Sequence, residues 1–202
     1  MTAIPTPQDF YDRVRGHADA DGRLPLPSQS MWEIFPFVPE SLVVKPLDAL
    51  EYPEPPRFGE GGTSCWPCEH PDENVVWRNE RWRLSPLGEQ RLPFAATLQP
   101  YQHLDLTDLD DAMAAELGVI AVRVARAVEA LDVIGRVHLL KFGDGGAHLH
   151  AILLGRPAGI LQLRGSNLAL WEEMLPDAPA DEAAAVMQVA VDALADLGDP
   201  VT

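Results

Sequence analysis

His148 and His150 stand two residues apart in the stretch Lys141-Phe-Gly-Asp-Gly-Gly-Ala-His148-Leu-His150-Ala-Ile-Leu-Leu-Gly-Arg156-Pro. On a strand that spacing puts both rings on one face. Near neutral pH an imidazole serves as a metal ligand or as a nucleophile, so one ring can hold an ion while its neighbour stays free. The turn before them, Gly143-Asp144-Gly145-Gly146, is expected to adopt positive φ and let a backbone or a phosphate come close.

The only two cysteines, Cys65 and Cys68, lie in Cys-Trp-Pro-Cys. Two-residue spacing is shared by redox dithiols and zinc knuckles. A redox dithiol of the thioredoxin kind sits at a helix start after a strand. Here Gly61-Gly62-Thr63-Ser64 precedes the pair and His70-Pro71-Asp72 follows it, which reads as loop on both sides and favours metal. Cys65, Cys68, His103 and His148 then form a set of two thiolates and two imidazoles. Zinc takes such a set as a closed tetrahedron with no position left for chemistry, a structural role. His70, near the cysteines, and His150, in place of His148, compete for the fourth position.

These residues need a scaffold. Asn74–Trp77 and Glu80–Leu84 read as a hairpin turning at Arg78-Asn79, and Phe94–Gln99 reads as a third strand ended by Pro100. His103 follows it. Leu109, Met113, Leu117, Ile120, Val124, Val128 and Leu131 recur at steps of three and four, the core-facing stripe of a long helix capped by Thr107 or Asp108. Arg136–Phe142 and Ala147–Leu154 read as two more strands, and 181–197 as a final helix. Arg164, Ser166 and Asn167 between them read as a polar turn. The order strand-strand-strand-helix-strand-strand-helix gives an α+β domain, an antiparallel sheet with helices packed on it.

Residues 1–60 hold ten of the nineteen prolines. A short helix over 7–18, capped by Thr6, and extended pieces at 31–37 and 42–45 make this an ordered Pro-rich N-terminal extension covering part of a main domain at 61–202. The net charge of −16 argues against duplex nucleic acid and against anionic membrane, both of which need a cationic footprint. No run of eighteen apolar residues spans a membrane, and the N-terminus lacks the basic start and apolar core of a signal peptide, so a cytoplasmic protein is expected.

Over roughly residues 65–157 the ordered landmarks resemble the histidine-triad (HIT) superfamily of nucleoside phosphoramidases, dinucleoside-polyphosphate hydrolases and nucleotidyltransferases. The landmarks are Cys65-x-x-Cys68 before the first hairpin, Pro100-x-x-His103 before the long helix, a Gly-x-Gly turn, and His148-x-His150 ahead of Arg156. The resemblance implies a HIT-like fold with structural zinc on Cys65, Cys68, His103 and His148. It implies a small nucleotide-like ligand, and a homodimer joined through the long helix and sheet. His150 would be the nucleophile, attacking phosphorus in an ester, anhydride or phosphoramidate. Gly145 and Gly146 amides, with Lys141 and Arg156, would supply the donors that hold nonbridging oxygens. The chain departs from the pattern three times: Ile152 stands where the family has His or Gln, Gly145 where it often has Ser or Thr, and the asparagine common on the preceding strand has no match beside Lys141 and Phe142. Those departures raise a second expectation, a catalytically silent zinc-stabilised protein that binds a ligand or partner.

Overall fold

The computed structural model describes residues 6–201, except the side chains of Pro7 and Phe10. Residues 1–5, on which the expected lack of a signal peptide partly rests, lie outside the described residues. The chain divides into two compact units, Met1–Pro56 and Arg57–Thr202.

In the first unit, helix α1 (Pro7–Arg15) begins at Thr6. The Thr6 hydroxyl accepts from the Asp9 amide at 3.1 Å, and the Asp9 carboxylate accepts from the Thr6 amide at 2.9 Å. This reciprocal cap satisfies two otherwise orphan donors. The helix stops at Gly16, short of the expected residue 18. The pieces expected as extended, 31–37 and 42–45, form no strand, and single turns at Ser28–Met31 and Pro39–Ser41 lead into them. Pro36, Pro39 and Pro46 remove amides that a ladder would need.

The second unit is an α+β fold. Its elements are α2 (Trp66–Glu69), β1 (Trp77–Arg78), β2 (Trp82–Pro86), β3 (Phe94–Pro100), α3 (Asp111–Glu129), β4 (Ile134–Leu140), β5 (Ala151–Pro157), α4 (Leu168–Glu172), α5 (Ala180–Asp192) and β6 (Asp199–Pro200). The sheet order is β4-β5-β3-β2-β1-β6, with every neighbouring pair antiparallel. Met113, Ile120, Ala121, Val124 and Val128 of α3, and Met187, Ala190 and Val191 of α5, pack with Trp77, Trp82, Leu84, Leu98 and Leu153 on one face. Fully burying each large side chain contributes about 1.5–3 kcal/mol. The opposite face carries Ala95, Ile152 and Leu154, covered by Leu92, Leu163 and Leu168.

Several boundaries differ from the sequence reading, each for a local reason. Asn74 sits at φ 58, which interrupts the first expected strand, so pairing begins only at Trp77. The hairpin turns at Asn79, whose side-chain oxygen accepts from the Arg81 and Trp82 amides at 2.9 and 2.7 Å. Helix α3 is capped by Asp110, which accepts from the Met113 amide at 2.7 Å. Thr107 and Asp108 instead belong to a preceding turn, Leu106–Asp108, closed by Asp105. The last helix ends at Asp192, and β6 beyond it joins the sheet beside β1.

Candidate metal centre and adjoining histidine

The strand expected to carry both histidines starts later, at Ala151. Before it, the Ala147 amide donates to the Phe58 carbonyl at 2.9 Å and the Leu149 amide to the Leu104 carbonyl at 2.8 Å. These loop partners take the backbone away from β4. Leu149 is fully buried in the core, while His148 and His150 flank it. The positive φ expected at Gly143, Gly145 and Gly146 is not there; Gly59, Gly61 and Gly62 adopt it instead, ahead of Cys65. At Gly59 the tight approach explains glycine: a Cβ would meet the Cys65 Cβ at 3.2 Å.

Cys65 is the N-cap of the single turn α2, and the Cys68 and Glu69 amides donate to its carbonyl. That turn brings both sulfurs to one side. His103 comes from the loop after β3, and His148 from the segment before β5. Their ligand atoms lie within 4.8 Å of one another. The His148 Nδ1 is 3.4 Å from each sulfur, and His103 Nδ1 is 3.5 Å from Cys68 Sγ. With zinc–sulfur and zinc–nitrogen bonds of about 2.3 and 2.05 Å, the edge of a tetrahedron is about 3.6 Å. Three edges are thus already at zinc-ligating length.

Ring orientation agrees. The buried His148 donates its Nε2–H to the Pro100 carbonyl at 2.8 Å, which fixes the tautomer and leaves the Nδ1 lone pair toward the sulfurs. Burial pushes the His148 pKa down, favouring the neutral, ligating ring. Burial, then the hydrogen bond and charge of Cys65, push the Cys68 thiol up to about 11. Two adjacent thiolates therefore need a cation between them, and the donor set fits zinc. Two thiolates and two imidazoles would saturate it, leaving it a structural role.

The two competing histidines are turned elsewhere. His70 stacks on Trp66, with ring centroids 5.0 Å apart, and its Nδ1 meets the Trp66 carbonyl. His150, partly buried, donates Nδ1–H to the His148 carbonyl at 2.9 Å. Its Nε2 thereby carries the free lone pair. His150 lines a cavity of about 180 Å³ together with Phe58, Ser64, Trp66, Pro67 and Gly146.

Of the other expected ligand contacts, only Gly146 lies with His150; a Cβ there would sit 3.9 Å from the ring. The Gly145 carbonyl accepts from the Phe58 amide at 3.1 Å. Lys141 is paired with Asp105 at 2.9 Å and folds back over Gly143. Asp105 also binds Arg57 at 2.6 Å. These two cations overcome burial and hold its carboxyl at about 2. Arg156 is six residues along the chain from His150, buried against Gly135, and donates to the Pro157 carbonyl. The sequence reading missed Arg57, Phe58, Ser64, Trp66 and Asp105 as neighbours of the site. Arg57 and Phe58 fall in the Pro-rich stretch, and nothing in their spacing tied them to residues 105 or 146.

No family model and no curated protein matches the chain. Among solved structures it is similar to a Zn-bound histidine triad family protein from Mycobacterium smegmatis, at 19% identity over 66% of this chain and 95% of that one, TM-score 0.47. A hypothetical histidine triad nucleotide-binding protein from Sulfolobus tokodaii is similar at 15% identity over 66% and 93%, TM-score 0.49. A uridylyltransferase mutant is similar at 22% identity over 67% of this chain and 49% of that one, TM-score 0.44. All three likenesses are at 22% identity or less and at TM-scores below 0.5.

Proposed function

We propose that residues 57–202 form a zinc-stabilised unit of histidine-triad type that transfers or hydrolyses a nucleotidyl group through His150. The observation that carries this reading is the division of labour between neighbouring imidazoles. His148 Nδ1 faces two sulfurs, while His150 Nδ1–H is held by the His148 carbonyl and its Nε2 is free of the metal set. In the reaction His150 Nε2 attacks the α-phosphorus and a P–N bond forms. The bond to the leaving group breaks, and the leaving group departs with its electron pair and takes a proton. Water or another acceptor then cleaves the P–N bond and regenerates the imidazole. The His148 carbonyl, accepting from Nδ1, stabilises the positive ring of the intermediate. Zinc would stiffen the scaffold and take no part in bond-making.

A second reading, a silent binding protein on the same scaffold, has its own support. Ile152 packs with the apolar cluster of Leu92, Ala95 and Leu154 and offers no hydrogen-bond donor. Lys141 and Arg156 are engaged elsewhere. The cavity of about 180 Å³ is smaller than the roughly 300–1,000 Å³ of most small-molecule sites. Incubation with adenosine 5′-phosphoramidate separates the two. The catalytic reading expects turnover that His150→Ala abolishes; no turnover in either protein favours the silent one. From the resemblance we also propose a homodimer through α3, whose Val119 and Val122 are exposed.

A further inference from the structure

Among the described residues two arginines are buried, and Arg83 is the deeper, 2% exposed on β2 between the buried Trp82 and Leu84. Among the described residues its guanidinium is bonded to two main-chain carbonyls and to no carboxylate. One Nη donates to the Pro71 carbonyl, the other to the Pro67 carbonyl at 2.9 Å. Burying a charge without a bonded counter-ion is costly, so its position calls for a reason.

The sequence supplies one. In α2 the Glu69 and His70 amides reach back to the carbonyls of Cys65 and Trp66. The next donor in that ladder belongs to residue 71, a proline without an N–H, so the Pro67 carbonyl has no helical partner. Arg83 fills that place and holds Pro71 as well. The two carbonyls bracket Cys68, one before it and one after. The guanidinium carbon lies 5.1 Å from the centroid of the Tyr101 ring. Tyr101 donates to the Asp72 carboxylate at 3.1 Å and follows Pro100, the acceptor for His148. Arg83 therefore ties together both halves of the ligand set, which are far apart in sequence.

We propose that Arg83 is a positioning residue of the metal centre, a clamp on the Cys65–Cys68 turn that replaces the helical hydrogen bond Pro71 cannot make. This rests on the zinc reading above. An unclamped turn lets Cys68, the exposed corner of the set, swing from the other three donors. Loss of an outer partner of a metal ligand typically weakens binding ~10–100-fold.

The test is zinc competition against a chromophoric chelator, on the 202-residue chain and on Arg83→Met, Arg83→Lys and Arg156→Met. Arg156, the other buried arginine, controls for loss of an interior charge. The clamp predicts ~10–100-fold weaker zinc binding for Arg83→Met. It predicts a smaller loss for Arg83→Lys, which keeps the charge but lacks the planar fork that spans both carbonyls. Arg156→Met should stay within about twofold of the parent. In the cobalt-loaded proteins, the thiolate-to-metal absorption band should weaken in Arg83→Met. Competition constants for both Arg83 variants within twofold of the parent would overturn the clamp and leave the zinc reading intact. So would equal destabilisation of the zinc-loaded and zinc-stripped forms. Should Arg83→Met not fold, the Arg83→Lys constant decides. A parent protein that takes up no zinc removes the metal reading and the clamp together.

Discussion

Cys65→Ser isolates the metal from the rest of the core. Cys65 is 3% exposed, and its sulfur is 3.4 Å from His148 Nδ1. A hydroxyl of similar size fills the site but does not ionise at neutral pH, so one of four ligands is lost. Because three ligand–ligand distances already equal the edges of a zinc tetrahedron within tenths of an ångström, binding requires little rearrangement and should appear almost wholly as stability. At free zinc about 100-fold above Kd, linkage stabilises the folded state by about 2.7 kcal/mol. For a unit of this size each kcal/mol moves the melting temperature by about 2–4 °C, so the zinc-dependent part is roughly 5–11 °C. Thermal unfolding with zinc and with excess EDTA should differ by that interval in the parent protein. In Cys65→Ser the two curves should nearly coincide. Metal analysis should find about one zinc per parent chain. Equal EDTA sensitivity of parent and variant would refute the ligand assignment, as would a parent without zinc purified under non-chelating conditions.

Other consequences follow from the same geometry. Asp105 has its folded pKa depressed to about 2 by Arg57 and Lys141 acting against burial. Its ion-pair contribution is therefore complete above the ordinary carboxylate pKa and is lost as pH falls from there toward about 2. In EDTA, Arg57→Ala should be less stable than the parent at pH 6, with the gap closing by pH 2; a gap constant with pH contradicts the assignment. Gly155→Ala places a Cβ 2.8 Å from the Phe94 Cβ and 3.1 Å from Ile134 Cδ1, an overpacking cost of about 1–3 kcal/mol. Gly145→Ala meets nothing within 4 Å and should change stability by less than about 0.5 kcal/mol in denaturant titration. If α3 joins two copies, sedimentation should give a dimer that Val122→Glu converts to a monomer; a monomeric parent contradicts the dimer.

The helix stripe from Met113 to Val128 was legible because burial imposes a period, and period survives in sequence. The cluster of Cys65, Cys68, His103 and His148 was legible for a different reason: few residue types can ligate a metal, and the sequence has only two cysteines. What escaped depends on loop partners. Nothing in Ala147 or Leu149 announces amides committed to Phe58 and Leu104, so the histidine strand was expected four residues early. Lys141 and Arg156 looked like ligand donors because both are cations near the motif. Asp105 claims the first, and the second turns inward over Gly135. Arg83 sits in a strand where alternation offers an outward place for charge, and only the proline at 71 gives it work inside.

The central claim is that His150 is the nucleophile while its neighbour serves the metal. Intact-mass spectrometry of the protein, mixed briefly with adenosine 5′-phosphoramidate and denatured at neutral pH, tests it most directly. The account predicts one adenylyl group per chain, located on His150 and missing from His150→Ala. An unmodified chain, or an adenylyl group that persists in His150→Ala, would contradict it.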